Sequence, residues 1–139
     1  MTDLVPQFTY LVEELKKLKL AYLHLIEART DGGSDIDVPK EESLDFLVKV
    51  WGKTSPILIA GGFDAEGAKA AVDSKYKELD VAIVFGRYFI SNPDLVFKLK
   101  EGIPFVPYDR NKFYGPKQVE GYTTYPFSKE FEAAQVSKA

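Results

Sequence analysis

The sequence predicts an α/β protein with a parallel sheet, and two observations carry this prediction. Three short apolar stretches, at residues 20–28, 56–63 and 81–85, have the aliphatic composition of strands that are buried on both faces. Segments with apolar residues at three- and four-residue spacing separate these stretches, as expected of amphipathic helices. Strands that alternate with helices form right-handed βαβ units, so the three strands are predicted to lie parallel in one sheet.

The helices are predicted from their apolar spacing and from the residues at their ends. Four are expected before the last part of the chain, at residues 5–19, 42–52, 65–76 and 92–102. Pro6 suits the first turn of the first helix, and Asp64 suits the N-cap of the third. Gly52 and Gly102 suit the carboxyl ends of the second and fourth helices.

The last 37 residues, from Ile103, differ in composition from the rest. They are rich in proline, tyrosine and phenylalanine, and only a short helix near residues 128–136 is predicted. We therefore divide the chain into an α/β part, residues 1–102, and an extension, residues 103–139, that packs over it. Three parallel strands are fewer than a doubly wound sheet or a barrel contains, so the sequence predicts part of a larger fold.

Composition excludes several classes of function. The chain has 139 residues, a formal net charge of −3 and no cysteine. Without a basic patch or a membrane-length apolar run, we predict no nucleic-acid partner and no membrane association. The absence of cysteine excludes disulfides and thiolate metal sites, and it fits a cytoplasmic protein. Asp31, Asp35 and Asp37 lack the spacing of a calcium loop, so no metal is predicted.

The strongest chemical signal lies where the second and third strands end. Gly61 and Gly62 follow one strand, and Gly86 and Arg87 follow the next. Glycine lets backbone N–H groups approach a ligand, helix N-termini beyond such loops favour anions, and arginine offers a bidentate fork for phosphate. The carboxyl ends of parallel strands are where α/β proteins bind ligands. The pattern therefore predicts a phosphate site, for which the solvated lysines Lys98, Lys100 and Lys112 serve as controls.

Four segments carry a family resemblance: AYLHLIEAR, ILIAGGFD, FGRYFISNPDLVFKLKEGIPF and YDRNKFYGP. In this order and spacing they resemble the carboxyl-terminal part of the old yellow enzyme family, most of all its fungal branch. These proteins are FMN-dependent, NADPH- or NADH-oxidising ene-reductases built on a TIM (β/α)8 barrel. The resemblance implies a partial barrel: the last three βα units, strands 6–8, with the preceding helix and the carboxyl-terminal extension.

The resemblance also implies roles for particular residues. Gly61, Gly62, Gly86 and Arg87 would bind the FMN phosphate, with Arg87 also near the flavin ring, and Tyr114 would lie at the mouth of the substrate pocket. The substrate class that the resemblance implies is α,β-unsaturated carbonyls. The family's carbonyl-binding pair and proton-donating tyrosine lie upstream of anything in this chain, so no catalytic residue is assigned and we expect no turnover from the chain alone.

The remaining candidates have structural interpretations, and three hypotheses stay open. His24 is interpreted as a core histidine, and Glu27 and Arg29 as a structural pair at a strand end. The chain is expected to be part of an FMN ene-reductase. The alternatives are a non-catalytic FMN- or phosphate-binding module and a structural half-barrel that associates with itself or with a partner chain through its open sheet edges.

Overall fold

A computed structural model describes residues 4–27, 43–113 and 115–137 of the chain. The chain forms two compact units, residues 1–84 and 85–139. The sequence-based division between residues 102 and 103 separates a partial barrel from its extension. It is a different division from these two units, and it stays a prediction.

The first unit contains the sheet, and it confirms the predicted parallel topology. The strands are β1 (Leu23–Ile26), β2 (Ile57–Ala60) and β3 (Val81–Val84), and they lie in that order. Both neighbouring pairs are parallel, with Ala60 opposite Ile26 on one side and Val84 on the other. Because all three strands run the same way in register, their carboxyl ends lie along one edge of the sheet.

Three helices belong to the same unit: α1 (Leu4–Lys16), α2 (Asp45–Trp51) and α3 (Ala65–Ala70). A π-helical turn, Ala71–Lys75, continues α3 and was not predicted. Trp51 is fully buried, and its indole Nε1 donates a hydrogen bond to the carbonyl of Ser55, 2.9 Å away. Gly52 ends α2 at a φ of +58°, which confirms its predicted place at the helix end.

The burial of the outer strands differs from the prediction. Leu23 and Leu25 of β1 are buried, whereas His24 and Ile26 are exposed. Ala82 of β3 is also exposed, and its neighbours are half-buried. In the described chain, β2 has a neighbouring strand on each side, whereas β1 and β3 each have a neighbour on one side only. The outer strands are therefore more exposed than strands that are buried on both faces. The interpretation of His24 as a core histidine is therefore wrong.

The second unit contains α4 (Arg87–Ser91), α5 (Leu95–Glu101), a 3₁₀ turn (Arg110–Lys112) and α6 (Lys129–Val136). Gly102 ends α5 in the left-handed conformation, as predicted. Ser128 caps α6 by accepting a hydrogen bond from the backbone N–H of Phe131, 3.3 Å away. The predicted helix over 92–102 begins later, at Leu95, because Asn92 and Pro93 form a turn between α4 and α5.

A buried polar network joins α5 to the chain that follows it. The amide of Asn92 donates to the carbonyls of Tyr88 and Val106, and its Oδ1 accepts from Val106 N and from Lys98 Nζ, all within 2.8–3.0 Å. Asp94 accepts hydrogen bonds from the backbone N–H and the hydroxyl of Ser128. The network explains why these polar residues are buried. Within the described residues, no helix is long and apolar enough to cross a bilayer.

Candidate functional site

The two glycines after β2 lie in backbone conformations that favour glycine. Gly61 has a φ of +112° and Gly62 a φ of +62°. A Cβ added to Gly61 would lie 2.6 Å from the carbonyl oxygen of Glu27 and 3.0 Å from its nitrogen. Packing against β1 therefore requires a glycine at position 61, while Gly62 is exposed beside it.

Glu27 fixes the neighbouring strand end. Its backbone N–H donates to the carbonyl of Ala60 at 2.8 Å, which extends the ladder between β1 and β2 by one bond. Its buried carboxylate accepts a hydrogen bond from the backbone N–H of Leu44, 3.3 Å away, just before α2. The predicted partner Arg29 lies outside the described residues, as do the loop aspartates Asp31, Asp35 and Asp37.

Asp64 is the N-cap of α3, as predicted. Its Oδ1 accepts a hydrogen bond from the backbone N–H of Gly67, 2.7 Å away. The carboxylate therefore satisfies part of the first turn and supplies negative charge there. For this reason the glycines, rather than the start of α3, are the donors that an anion would meet after β2.

In the second unit, Gly86 and Arg87 begin α4. Gly86 is exposed at a φ of −100°, a conformation open to other residues, and no described heavy atom lies within 4 Å of where its Cβ would stand. Arg87 is half-buried, and its Nη1 donates a hydrogen bond to the hydroxyl of Tyr108, 3.1 Å away. Space beside a glycine and a guanidinium at the next residue are the features that an anionic group requires.

One predicted residue, Lys98, behaves differently from the expectation, and another, Tyr114, lies outside the described residues. Lys98 is not solvated, since it is buried and donates to Asn92 at 2.8 Å. It is therefore unsuitable as a control for Arg87, whereas Lys100 is exposed as predicted. Tyr114 lies outside the described residues, so its place at a substrate pocket stays a prediction. No cluster of three metal-ligating side chains occurs among the residues that are described.

A second ionisable cluster, in the first unit, is structural. The hydroxyl of Tyr76 and the Nζ of Lys75 both contact Oδ1 of Asp45, at 2.5 and 2.6 Å. Burial, reinforced by the bond to Asp45, raises the pKa of Tyr76 to about 12. Burial alone would raise the pKa of Asp45, but hydrogen bonds from Lys75 and Tyr76 hold it below its ordinary value. A phenol that stays protonated is a brace between α2 and the π-helical turn rather than an acid–base catalyst.

An apolar groove of about 540 Å³ lies between α1, β1 and α2 in the first unit. Val5, Phe8 and Leu11 of α1 line it, together with His24 and Ile26 of β1. All five side chains are exposed, and Ile26 is 69% exposed. In the described chain, β1 pairs only with β2, so its other edge adjoins this groove without a strand. Exposed apolar surface of this kind is common where proteins contact a partner.

Sequence reasoning missed Tyr108 and the network around Asn92. The sequence shows Tyr108 only as one of eight tyrosines, and its contact with Arg87 spans 21 residues. For Asn92 a signal was present, because Asn-Pro marks a turn and argues against a helix that starts there.

The first unit defines an α/β protein with a parallel sheet, and comparison with known proteins gives the family. Residues 1–105 match the NADH:flavin oxidoreductase / NADH oxidase family. The chain is 53% identical to chanoclavine-I aldehyde reductase fgaOx3 of Penicillium roqueforti over 134 residues, which are 96% of this chain and 36% of that protein. The chain belongs to this family, which includes old yellow enzyme, and membership implies FMN with NAD(P)H as its reductant.

Solved structures agree with this assignment. Old yellow enzyme from Pichia sp. AKU4542 matches with a TM-score of 0.69 and 27% identity, over 90% of this chain and 30% of that one. Morphinone reductase matches with a TM-score of 0.69 and 34% identity, over 92% of this chain and 32% of that one. The neighbours are TIM-barrel proteins, and the chain spans about a third of their length.

Proposed function

We propose that this chain is the part of an FMN-dependent NAD(P)H oxidoreductase that corresponds to strands 6–8 of the barrel, and that it supplies the site for the FMN phosphate. The full enzyme would reduce activated C=C bonds of α,β-unsaturated carbonyls. Family membership and the parallel order of three strands support this proposal. A cytoplasmic location remains a prediction from the cysteine-free composition.

The observation that carries the proposal is the open space at Gly86 next to Arg87. Neither backbone conformation nor packing in the described chain requires glycine at position 86, and the open space beside it supports a ligand there. Arg87 is half-buried, where a charge-assisted hydrogen bond to phosphate is stronger than in water. A phosphate group fits these residues.

Gly61 and Gly62 would offer backbone N–H donors to a phosphate group. Their positive φ angles and the exposure of Gly62 support this part of the proposal. Tyr114 would contact the substrate. When bound, FMN supplies the hydride chemistry between nicotinamide and alkene, and the residues of this chain bind and orient it.

Titration of the chain with FMN tests the phosphate site. Arg87→Ala should weaken binding by about 10- to 100-fold, because a hydrogen bond to a charged group contributes about 1.5–3 kcal/mol. Lys100→Ala, which removes an exposed charge, should change the affinity less than twofold, as expected of about 0.2 kcal/mol or less from a solvated lysine. Equal affinities for the unmodified chain and Arg87→Ala would contradict the proposal. The chain alone is expected to show no turnover, so flavin-dependent turnover by the chain together with the remainder of the barrel would separate an enzyme part from a binding module.

A second proposal concerns association, and the groove beside β1 favours it. A helix that precedes a strand in a βαβ unit packs against that strand and against the parallel strand before it. The exposed apolar residues of α1 therefore fit a further apolar strand that pairs with the free edge of β1. We propose that this strand comes from the remainder of a barrel, and that the isolated chain covers the groove by self-association.

Light scattering after size exclusion tests the association. We expect the chain to elute as a species larger than its 15.6 kDa monomer. Ile26→Lys places a charge on the groove and should shift the population toward the monomer. Val96→Lys is the matched control, because Val96 is 67% exposed on α5 and does not line the groove. A compact monomer of the unmodified chain would refute the proposal.

A further inference from the structure

We propose that Tyr108 is a positioning residue for Arg87: its hydroxyl orients the guanidinium toward the phosphate of the bound flavin. This inference rests on the proposed function, because it assumes that Arg87 binds the phosphate. It assigns a role in the cofactor site to the segment that follows α5.

Two contacts join the residues. Arg87 Nη1 donates to Tyr108 Oη at 3.1 Å, and the guanidinium carbon lies 5.6 Å from the centre of the Tyr108 ring. The first contact fixes the direction of one N–H, and the second is within the range of a cation–π interaction. Together they restrict a side chain that otherwise has many rotamers.

The Tyr108 ring is itself held by aromatic neighbours. Tyr88 packs edge-on against it, with ring centres 5.1 Å apart, and Phe113 lies at 5.7 Å. Tyr88 also contacts Phe105 at 5.2 Å, and Phe113 is buried. Because the phenol is supported on two sides, its hydroxyl is a fixed acceptor rather than a mobile one.

A phenol suits this role better than a carboxylate. A carboxylate would hold the guanidinium but cancel its charge, whereas a neutral hydroxyl holds the guanidinium without cancelling its charge. Because Arg87 is oriented before the phosphate binds, less side-chain conformational entropy is lost on binding. The expected consequence is tighter binding of FMN, without any contact between Tyr108 and the phosphate.

Tyr108→Phe isolates the hydroxyl, because phenylalanine keeps the ring and its packing. Tyr125→Phe is the matched control: it removes a hydroxyl from the same part of the chain, one that accepts a hydrogen bond from the backbone N–H of Asp109 at 3.3 Å. Nitrogen-15 relaxation of the Arg87 Nε–H group should show greater motion in Tyr108→Phe and no change in Tyr125→Phe.

Binding of FMN and of riboflavin, which lacks the phosphate, separates positioning from general damage. Tyr108→Phe should weaken FMN binding by about fivefold to tenfold, less than removal of the Arg87 contact itself, and should weaken riboflavin binding much less. In the Arg87→Ala background, Tyr108→Phe should cause no further loss, because its effect passes through Arg87.

The outcomes distinguish this inference from the proposed function. A normal FMN affinity for Tyr108→Phe, beside a clear loss for Arg87→Ala, overturns the positioning role and leaves the phosphate site in place. An equal loss of FMN and riboflavin affinity also overturns it, since the effect would then not pass through the phosphate. A normal affinity for Arg87→Ala overturns the proposed function and the inference with it.

Discussion

Replacing Gly61 by alanine tests whether packing or a ligand requires the glycine that follows β2. The added methyl group would lie 2.6 Å from the carbonyl oxygen of Glu27, and the backbone φ of +112° is one that alanine rarely adopts. Both effects arise in the first unit without any ligand. We therefore expect Gly61→Ala to destabilise the ligand-free chain.

The magnitude follows from these two terms. A non-glycine residue at such a φ costs about 1–3 kcal/mol, and overpacking by one methyl group costs about 1–3 kcal/mol. The expected loss is therefore about 2–6 kcal/mol, a large part of an ordinary domain's stability. Urea unfolding followed by tryptophan fluorescence is a suitable assay, because Trp51 is the one tryptophan of the chain and is fully buried in this unit.

Gly86→Ala is the control and should give the opposite pattern. Position 86 has an ordinary φ and open space beside it. Gly86→Ala should therefore change the free energy of unfolding by less than about 0.5 kcal/mol, as expected at an exposed site, and should weaken FMN binding. An unfolding midpoint of Gly61→Ala within error of the unmodified chain would refute the packing argument. Equal destabilisation by the two substitutions would refute the distinction between the glycines.

Further predictions concern the buried polar residues. Burial would raise the pKa of Asp94, but hydrogen bonds from Ser128 and the charge of Lys98 hold it below the ordinary value, so its stabilisation is complete above about pH 4 and is lost as the pH falls through the lowered pKa. Asp94→Asn should flatten that acid dependence in urea unfolding followed by circular dichroism, and an unaltered profile would contradict this. Asn92→Ala leaves Lys98 and the Val106 backbone groups without their partner and should cost about 3 kcal/mol in the same assay, so a change below about 1 kcal/mol would contradict the network. Because the pKa of Tyr76 is raised to about 12, its contribution is lost as the pH rises from 10 to 12, and Tyr76→Phe should lose less stability over that interval than the unmodified chain.

Local signals in the sequence predicted the order and direction of the elements. Asp64 and Gly102 lie at helix ends because a side-chain acceptor or a left-handed glycine is needed there whatever the surroundings. Burial was less predictable, because it depends on neighbours that composition does not reveal. His24 is exposed since nothing in the described chain covers its face of β1. Lys98 is buried, and its Nζ donates a hydrogen bond to Oδ1 of Asn92.

The candidate site shows the same limit at the level of single residues. Gly61, Gly62, Gly86 and Arg87 were predicted as site residues from their type and their place after two strands. The sequence suggests ligand binding as the reason for all the glycines, whereas the surroundings of Gly61 and Gly86 in the structure differ. Glycine at position 61 follows from the backbone of Glu27, a contact across the sheet that has no ligand in it. Glycine at position 86 has no such neighbour in the described chain. A glycine that packing does not explain, followed by an arginine that a fixed phenol holds, is therefore better evidence for an anion site than the number of glycines at the strand ends.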